Sequence, residues 1–447
     1  MNEFEAEYKK KLMTADEAVK VVKSGDRVFY GEFVTITPAL DRALAKRKNE
    51  LRDIHVDACT LRMDTEIARV DPEGLVFDIN DRSLTPYSRK QGAYYLVGTY
   101  DENIKSLHNH RRMNVAFLSA CPMDKHGFFN LSVVCSNSQS LLESCDHIII
   151  EVNESLPVCY GGGPASFHIS EVGAVVHGDN QPLESLPKVS STPEDKKIAE
   201  LIMAEMEDGC CLQLGIGGIP NKVGEFIAES DIKDLGVHTE MMMDSFMTLY
   251  LAGKVTGRRK TLNKGKMVYT FAMGSTALYD FLDRNEAALK FPSSYTNDPA
   301  VIGRNDKVFA VNNGLHVDLW SQISSESVGP RQISGVGGQW DFIYGAYRSE
   351  GGKGFVCMNS TAKRKDKDGN VRLESRIVGN FEPGTNVSVP RHFTHYVVTE
   401  YGCRNMKGLS TWERADAVIS LAHPDFREGL IQEAQSFGIW RQSNKIA

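Results

Sequence analysis

Residues 210–220, Cys210-Cys211-Leu212-Gln213-Leu214-Gly215-Ile216-Gly217-Gly218-Ile219-Pro220, decide the fold. A short apolar run stops at glycines and a proline opens the next segment, the pattern of a buried strand that turns directly into a helix. Upstream, residues 194–206 repeat apolar positions at helical spacing until Asp208-Gly209. Downstream, the helix opened by Pro220 ends before Lys233-Asp234-Leu235, and a second strand spans 236–239. Strand, helix and strand in that order form a βαβ unit. Repeated units give a parallel sheet covered by helices through right-handed crossovers.

The same grammar recurs near the start. A helix over 14–24 is followed by Gly25-Asp26, a strand over 27–30, Gly31, a helix opened by Pro38 that ends near 51–53, and a strand over 54–58. Both halves close on similar apolar runs, 147–152 and 395–400, whose continuity suits strands buried on both faces. The fold class expected is therefore α/β, with two similar parallel-sheet domains related by duplication. Residues 178–195 carry three prolines and no periodicity, so the linker falls there. The boundaries expected are 1–185 and 186–447, with Glu240 in the second domain and the functional site between the two. Strand-like stretches 354–359 and 371–378 flank the charged run 363–370, whose Asp368-Gly369 signals a turn. That tip reads as a solvated hairpin, with contact to phosphates as the other reading.

At 447 residues the chain exceeds what one core serves, and 41% hydrophobic with 24% charged residues is the balance of a soluble globular protein. Lysine and arginine total 51 against 58 acidic residues, a net charge of -7, which repels a nucleic-acid backbone. Residues 1–11 are charged, and no apolar run approaches the roughly 20 residues that span a bilayer, so a cytoplasmic protein with no membrane partner is expected. Nine cysteines lack any CxxC pair, and Cys210-Cys211 sit in a strand pattern where buried thiols are common. His108 and His110 have no neighbours to complete a ligand set, and no metal site is expected.

Three places can carry chemistry. The turn Gly215, Ile216, Gly217, Gly218, Ile219 lies at a helix start, where free N–H groups attract anions. A dinucleotide fingerprint needs a third glycine where Pro220 stands, which argues against NAD. A tight turn without a ligand is the other reading. Glu240 follows the strand over 236–239, at the carboxyl edge where open parallel sheets bind ligands, and Met241-Met242-Met243 would partly desolvate it. The other reading is an acid at a helix start. Gly337 and Gly338, within 334–342, offer backbone N–H groups to an oxyanion, or else form a loop before an aromatic anchor.

Taken together, residues 212–220, His238-Thr239-Glu240-Met241, residues 332–342 and residues 395–402 resemble the acetyl-CoA hydrolase/transferase family, within it the short-chain butyryl-CoA:acetate and 4-hydroxybutyrate CoA-transferases. The resemblance covers nearly the whole chain. It implies that Glu240 forms a glutamyl-CoA thioester, that the turn 215–219 contacts CoA and the reacting carbonyl, and that Gly337-Gly338 helps bind CoA. It also implies CoA contacts at Asn312, Leu315, Ser360 and Lys363, and an acyl pocket reached through Gly31-Glu32-Phe33. Residues 59–111 fit least and leave the preferred acid open. An acyl-CoA and a short-chain carboxylate are the substrates, no cofactor is required beyond the CoA thioester itself, and a homodimer or larger homo-oligomer is expected. A hydrolase using the same glutamate is the alternative, and a dinucleotide oxidoreductase the outsider.

Overall fold

The computed structural model describes residues 3–187, 190–365 and 369–441. Two units emerge from the chain's contacts. The first gathers Met1–Pro187, His238–Met247 and Lys266–Asp298, and the second Lys188–Val237, Thr248–Gly265 and Pro299–Ala447.

In the first unit, β1 (Arg27–Glu32), β2 (Ile54–Cys59), β3 (Phe77–Asp81), β4 (Tyr94–Tyr95), β5 (Val115–Ala120), β6 (His147–Val152) and β7 (Ala174–His177) form one sheet in the order β4-β3-β2-β1-β5-β6-β7. Every pairing in it is parallel. Each residue of β5 is buried, which is why that strand reads Val-Ala-Phe-Leu-Ser-Ala without alternation. Helix α1 (Pro38–Lys46) carries proline in its first turn, where the missing N–H is not needed, and buries Leu40 and Leu44 against Val56 and Phe117. Between β1 and α1 the chain makes a tight turn. Gly31 has φ +71°, and a Cβ there would lie 2.8 Å from the Thr35 carbonyl oxygen, so only glycine fits. Phe33 also has positive φ, +52°, a costly conformation for a bulky side chain.

In the second unit, helix α2 (Pro193–Met203) leads to β8 (Cys211–Leu214), helix α3 (Gly218–Glu229) and β9 (Gly236–Val237). They are followed by β10 (Val308–Asn313), helix α4 (Gln339–Arg348), β11 (Lys353–Cys357), β12 (Tyr396–Thr399) and β13 (Gly402–Asn405). The strands lie in the order β9-β8-β10-β11-β12-β13 and are parallel up to β12, with β13 antiparallel at the edge. Both units are α/β with a large parallel sheet.

Several local expectations are corrected. The helix expected over 14–24 runs only over Ala15–Ala18 and tightens into a 3-10 turn at Val19–Val21, where β-branched residues crowd the turn. Helix α3 starts at Gly218, so Pro220 lies inside its first turn instead of opening it. The strand expected over 236–239 ends at Val237, and His238 makes a single bridge to Val268. Gly337-Gly338 form the loop that precedes an aromatic anchor, and residues 339–342 are the first turn of α4, capped by Gly338 and burying Phe342. Residues 354–357 belong to the central sheet, while the hairpin pairs Thr361–Lys365 with Val371–Ser375. Residues 366–368 of its charged tip lie outside the described residues.

The contact partition also differs from a single cut at 185/186. Met241–Met242 pairs with Phe271–Ala272, and Met267–Tyr269 with Ala288–Lys290. Bridges from Val134 to Phe271 and from Gly161 to Lys290 then join these short pairs to the first unit. Glu240 accordingly folds with the first unit.

Candidate functional site

Glu240 is held from its backbone outward. Its carbonyl accepts from the N–H groups of Thr270 (3.0 Å) and Phe271 (3.3 Å), the preceding Thr239 N–H donates to Val268 O (2.9 Å), and the following Met241–Met242 strand is buried. The half-buried carboxylate accepts, through Oε2, a 2.6 Å hydrogen bond from Asn297 Nδ2. Asn297 is fully buried, and its own N–H donates to Ser293 O (2.8 Å). Two residues before Glu240, His238 is fully buried with Nε2 2.9 Å from Thr296 O. A carbonyl oxygen only accepts, so Nε2 carries the hydrogen, and the bond pins the 293–297 turn beside the glutamate.

A second carboxylate shares this unit. Glu32, 6% exposed, accepts from the N–H groups of Ser136 (3.1 Å) and Asn137 (2.9 Å). Burial pushes its pKa above the usual carboxylate range, with the bonds from Asn137 and Ser136 opposing. Phe33 stacks on Phe271 with centroids 3.5 Å apart, and Tyr100 meets the two rings edge-on at 6.4 and 6.2 Å. Burial first, with the nearby Cys59, Glu32 and Glu240 adding to it, raises the Tyr100 phenol well above its ordinary pKa. The stretch Gly31-Glu32-Phe33 is thus grouped around the same aromatic cluster as Phe271, whose N–H binds Glu240.

The remaining site residues fall in the second unit, at the carboxyl edge of its sheet. Gly215 N–H donates to Val311 O (2.8 Å) as β8 ends. Gly217, at φ +131°, caps α3, and a Cβ there would lie 2.6 Å from Asn313 Nδ2, which donates to Ile216 O at 2.7 Å. Ile216 is 57% exposed, so the turn presents itself to solvent. Asn312 exchanges amide hydrogen bonds with Gln213 (3.2 and 2.9 Å), which locks the ends of β8 and β10 together. Gln339, directly after Gly337-Gly338, donates to Asn313 O at 2.7 Å. Residues 215–218, Asn312 and Gly338 are therefore brought together, with Ile219 buried in the first turn of α3.

Leu315 follows β10, its N–H on Ser324 O (2.8 Å). Ser360, beyond β11, donates its N–H and hydroxyl to the Glu400 carboxylate at 2.9 and 2.5 Å. Lys363 is exposed on the hairpin. Among the described residues no group of three or more His, Cys, Asp or Glu could hold a metal ion.

Asn297 is the functional candidate that sequence reasoning missed. It lies 57 residues from Glu240 in a short turn with no motif, so only the fold could reveal the contact.

The N-terminal domain of the acetyl-CoA hydrolase/transferase family matches residues 1–187, and its C-terminal domain matches residues 274–434. The chain belongs to the acetyl-CoA hydrolase/transferase family. Within that family the butyryl-CoA:acetate CoA-transferase of Anaerostipes caccae is 47% identical over 448 residues, covering 99% of this chain and 100% of that protein. The probable butyrate:acetyl-CoA coenzyme A-transferase of Syntrophomonas wolfei is 43% identical over 98% of each. The crystal structure of RipA from Yersinia pestis aligns with TM-score 0.89 at 35% identity, covering 98% of this chain and 100% of that one. This member of the acetyl-CoA hydrolase/transferase family is an enzyme of the CoA-transferase class.

Proposed function

We propose that this enzyme moves CoA from butyryl-CoA to acetate by ping-pong chemistry through a thioester on Glu240. The observation that carries the reading is the half-buried Glu240 carboxylate gripped at 2.6 Å by the buried Asn297 amide. A carboxylate is a weak nucleophile because it is hydrated, and one held at a fixed place by a buried donor has lost part of that hydration and most of its freedom.

A Glu240 oxygen attacks the thioester carbonyl of butyryl-CoA, the C–S bond breaks, and an acyl-glutamyl anhydride and CoA thiolate form. The thiolate attacks the glutamyl carbon, the bond to the butyryl oxygen breaks, and butyrate leaves the glutamyl-CoA thioester behind. Acetate then runs both steps in reverse, giving acetyl-CoA and free Glu240. The attacking group in this reading is the carboxylate itself, so no general base takes part. Asn297 Nδ2 would follow the Glu240 oxygen it already binds through each intermediate. Recognition of CoA belongs in this reading to the turn 215–219, Gly337-Gly338, Asn312, Leu315, Ser360 and Lys363. Binding of the remote parts of CoA supplies energy for orienting the reacting carbonyl.

The reading includes a cytoplasmic homo-oligomer that needs no cofactor beyond the CoA thioester it consumes. Identity of 47% to a butyryl-CoA:acetate enzyme supports the choice of acids. Water in place of acetate gives the alternative, a hydrolase on the same glutamate. Initial rates with butyryl-CoA and acetate varied together test the proposal. Parallel double-reciprocal lines with stoichiometric acetyl-CoA are expected, whereas intersecting lines, or free CoA as the main product, would reject it.

A further inference from the structure

Transfer and hydrolysis differ in whether water or the acceptor thiolate or carboxylate reaches the acyl-glutamyl anhydride and the glutamyl-CoA thioester first, and the longer-lived thioester is the more exposed of the two to water. Within the first unit a cluster of buried rings adjoins the Glu240 backbone. Phe271, 2% exposed, gives its N–H to the Glu240 carbonyl and its face to Phe33, 4% exposed, at 3.5 Å and 15° between planes. Tyr100, 4% exposed, closes on both rings edge-to-face, at 65° and 63°. Its hydroxyl lies 3.7 Å from Cys59 Sγ, so the polar end of the phenol turns to a buried thiol.

The backbone is bent to make this cluster. Phe33 takes φ +52°, and its N–H is anchored on Cys59 O at 3.0 Å. Gly31 at φ +71° and the Thr35-to-Glu32 turn at 3.0 Å hold that bend. A bulky aromatic in the left-handed region persists only where its surroundings force it, and such positions gather at functional sites. The neighbouring Glu32 carboxylate, 6% exposed, is held by the backbone N–H groups of Ser136 and Asn137, one on each oxygen.

We propose that Phe33, Tyr100 and Phe271 form a water-excluding wall beside Glu240 that makes the enzyme a transferase and not a hydrolase. The inference rests on Glu240 carrying the thioester. Where the wall fails, water attacks the glutamyl carbon and the C–S bond breaks. Sulfur and solvent each take one water proton, and Glu240 returns to a carboxylate. The sum with the first half-reaction is butyryl-CoA plus water giving butyrate, CoA thiol and a proton.

The full-length enzyme is incubated with butyryl-CoA in the presence and absence of acetate. Free thiol and acetyl-CoA are quantified, and the adduct on Glu240 is followed by intact mass. In the wild type the adduct outlives a transfer turnover by at least about a hundredfold when acetate is withheld. Phe33→Ala raises the ratio of hydrolysis to transfer about tenfold or more while the adduct still forms. Phe33→Leu, which keeps apolar bulk, raises it less, and Tyr100→Phe leaves it unchanged because the ring and not the hydroxyl is the barrier. A merely structural role for these rings lowers both products together and leaves the ratio alone, which overturns the inference. A wild-type adduct that decays in water as fast as it turns over overturns it without any variant, so a misfolded Phe33→Ala does not protect it. Absence of any adduct in the wild type is a different result, since it removes the Glu240 reading itself.

Discussion

Removing the Asn297 amide separates positioning from folding at Glu240. In Asn297→Ala the 2.6 Å bond to Glu240 Oε2 is lost from a fully buried partner. Hydrogen bonds to charged groups contribute about 1.5–3 kcal/mol, and about 1.36 kcal/mol is tenfold in rate, so kcat/KM for butyryl-CoA should fall about 10- to 150-fold. Asn297→Asp is the harsher change because it sets a second carboxylate 2.6 Å from the first. At an effective dielectric of about 20 that repulsion approaches about 6 kcal/mol, so the pair keeps one shared proton at neutral pH. Activity of Asn297→Asp should therefore lie below that of Asn297→Ala at pH 7 and recover as pH rises and the proton leaves. The assay is acetyl-CoA formation from butyryl-CoA and acetate between pH 6 and 9, with circular dichroism to verify the fold. Asn297→Ala retaining kcat/KM within threefold, or Asn297→Asp with a flat profile equal to wild type, would refute the assignment of Asn297 as the group that holds the nucleophile.

Two further outcomes follow from the second unit. Gly217→Ala places a methyl 2.6 Å from Asn313 Nδ2 at φ +131°, which pushes away the amide that holds the Ile216 carbonyl. KM for butyryl-CoA should rise about tenfold or more, equivalent to about 1.4 kcal/mol, with kcat changed less. Calorimetric or kinetic affinity for CoA equal to wild type would contradict the role of the turn. His395, 6% exposed, accepts from Gly354 N–H at 3.2 Å, and burial, followed by Lys407 and Lys353, lowers its pKa to about 4 from 6.5. The folded state prefers the neutral ring, so this stability is fully present above pH 6.5 and is lost as pH falls toward 4. The difference corresponds to about 3 kcal/mol at about 1.36 kcal/mol per pH unit. His395→Asn, which keeps an acceptor and removes the titration, should lose less stability than wild type between pH 7 and pH 4.5 in urea unfolding; identical losses would show that His395 is not responsible.

How much of the molecule is legible in the sequence depends on how local each signal is. The continuous apolar runs of β5 and β6 and the strand-to-helix turn at residues 215–218 are visible because burial on both faces and the need for glycine are written in adjacent residues. The two-residue pairing of Met241–Met242 with Phe271–Ala272 leaves no such pattern, since a strand of that length shows no periodicity. That pairing is what draws Glu240 into the first unit. Gly337-Gly338-Gln339-Trp340 suits a loop or a helix start equally well, and the buried face of α4 settles it as a helix. Asn297 is illegible for a simpler reason, because an asparagine in a turn is common and its significance lies wholly in the group 57 residues away that it touches.

The covalent route is tested most directly by intact-mass analysis of the purified enzyme mixed with butyryl-CoA alone, with Glu240→Ala in parallel and peptide mapping of any adduct. The account expects a mass increase equal to CoA minus water on the peptide containing Glu240, absent from the variant and discharged by acetate as acetyl-CoA. Turnover of butyryl-CoA and acetate with no adduct, or with the same activity in Glu240→Ala, would contradict it.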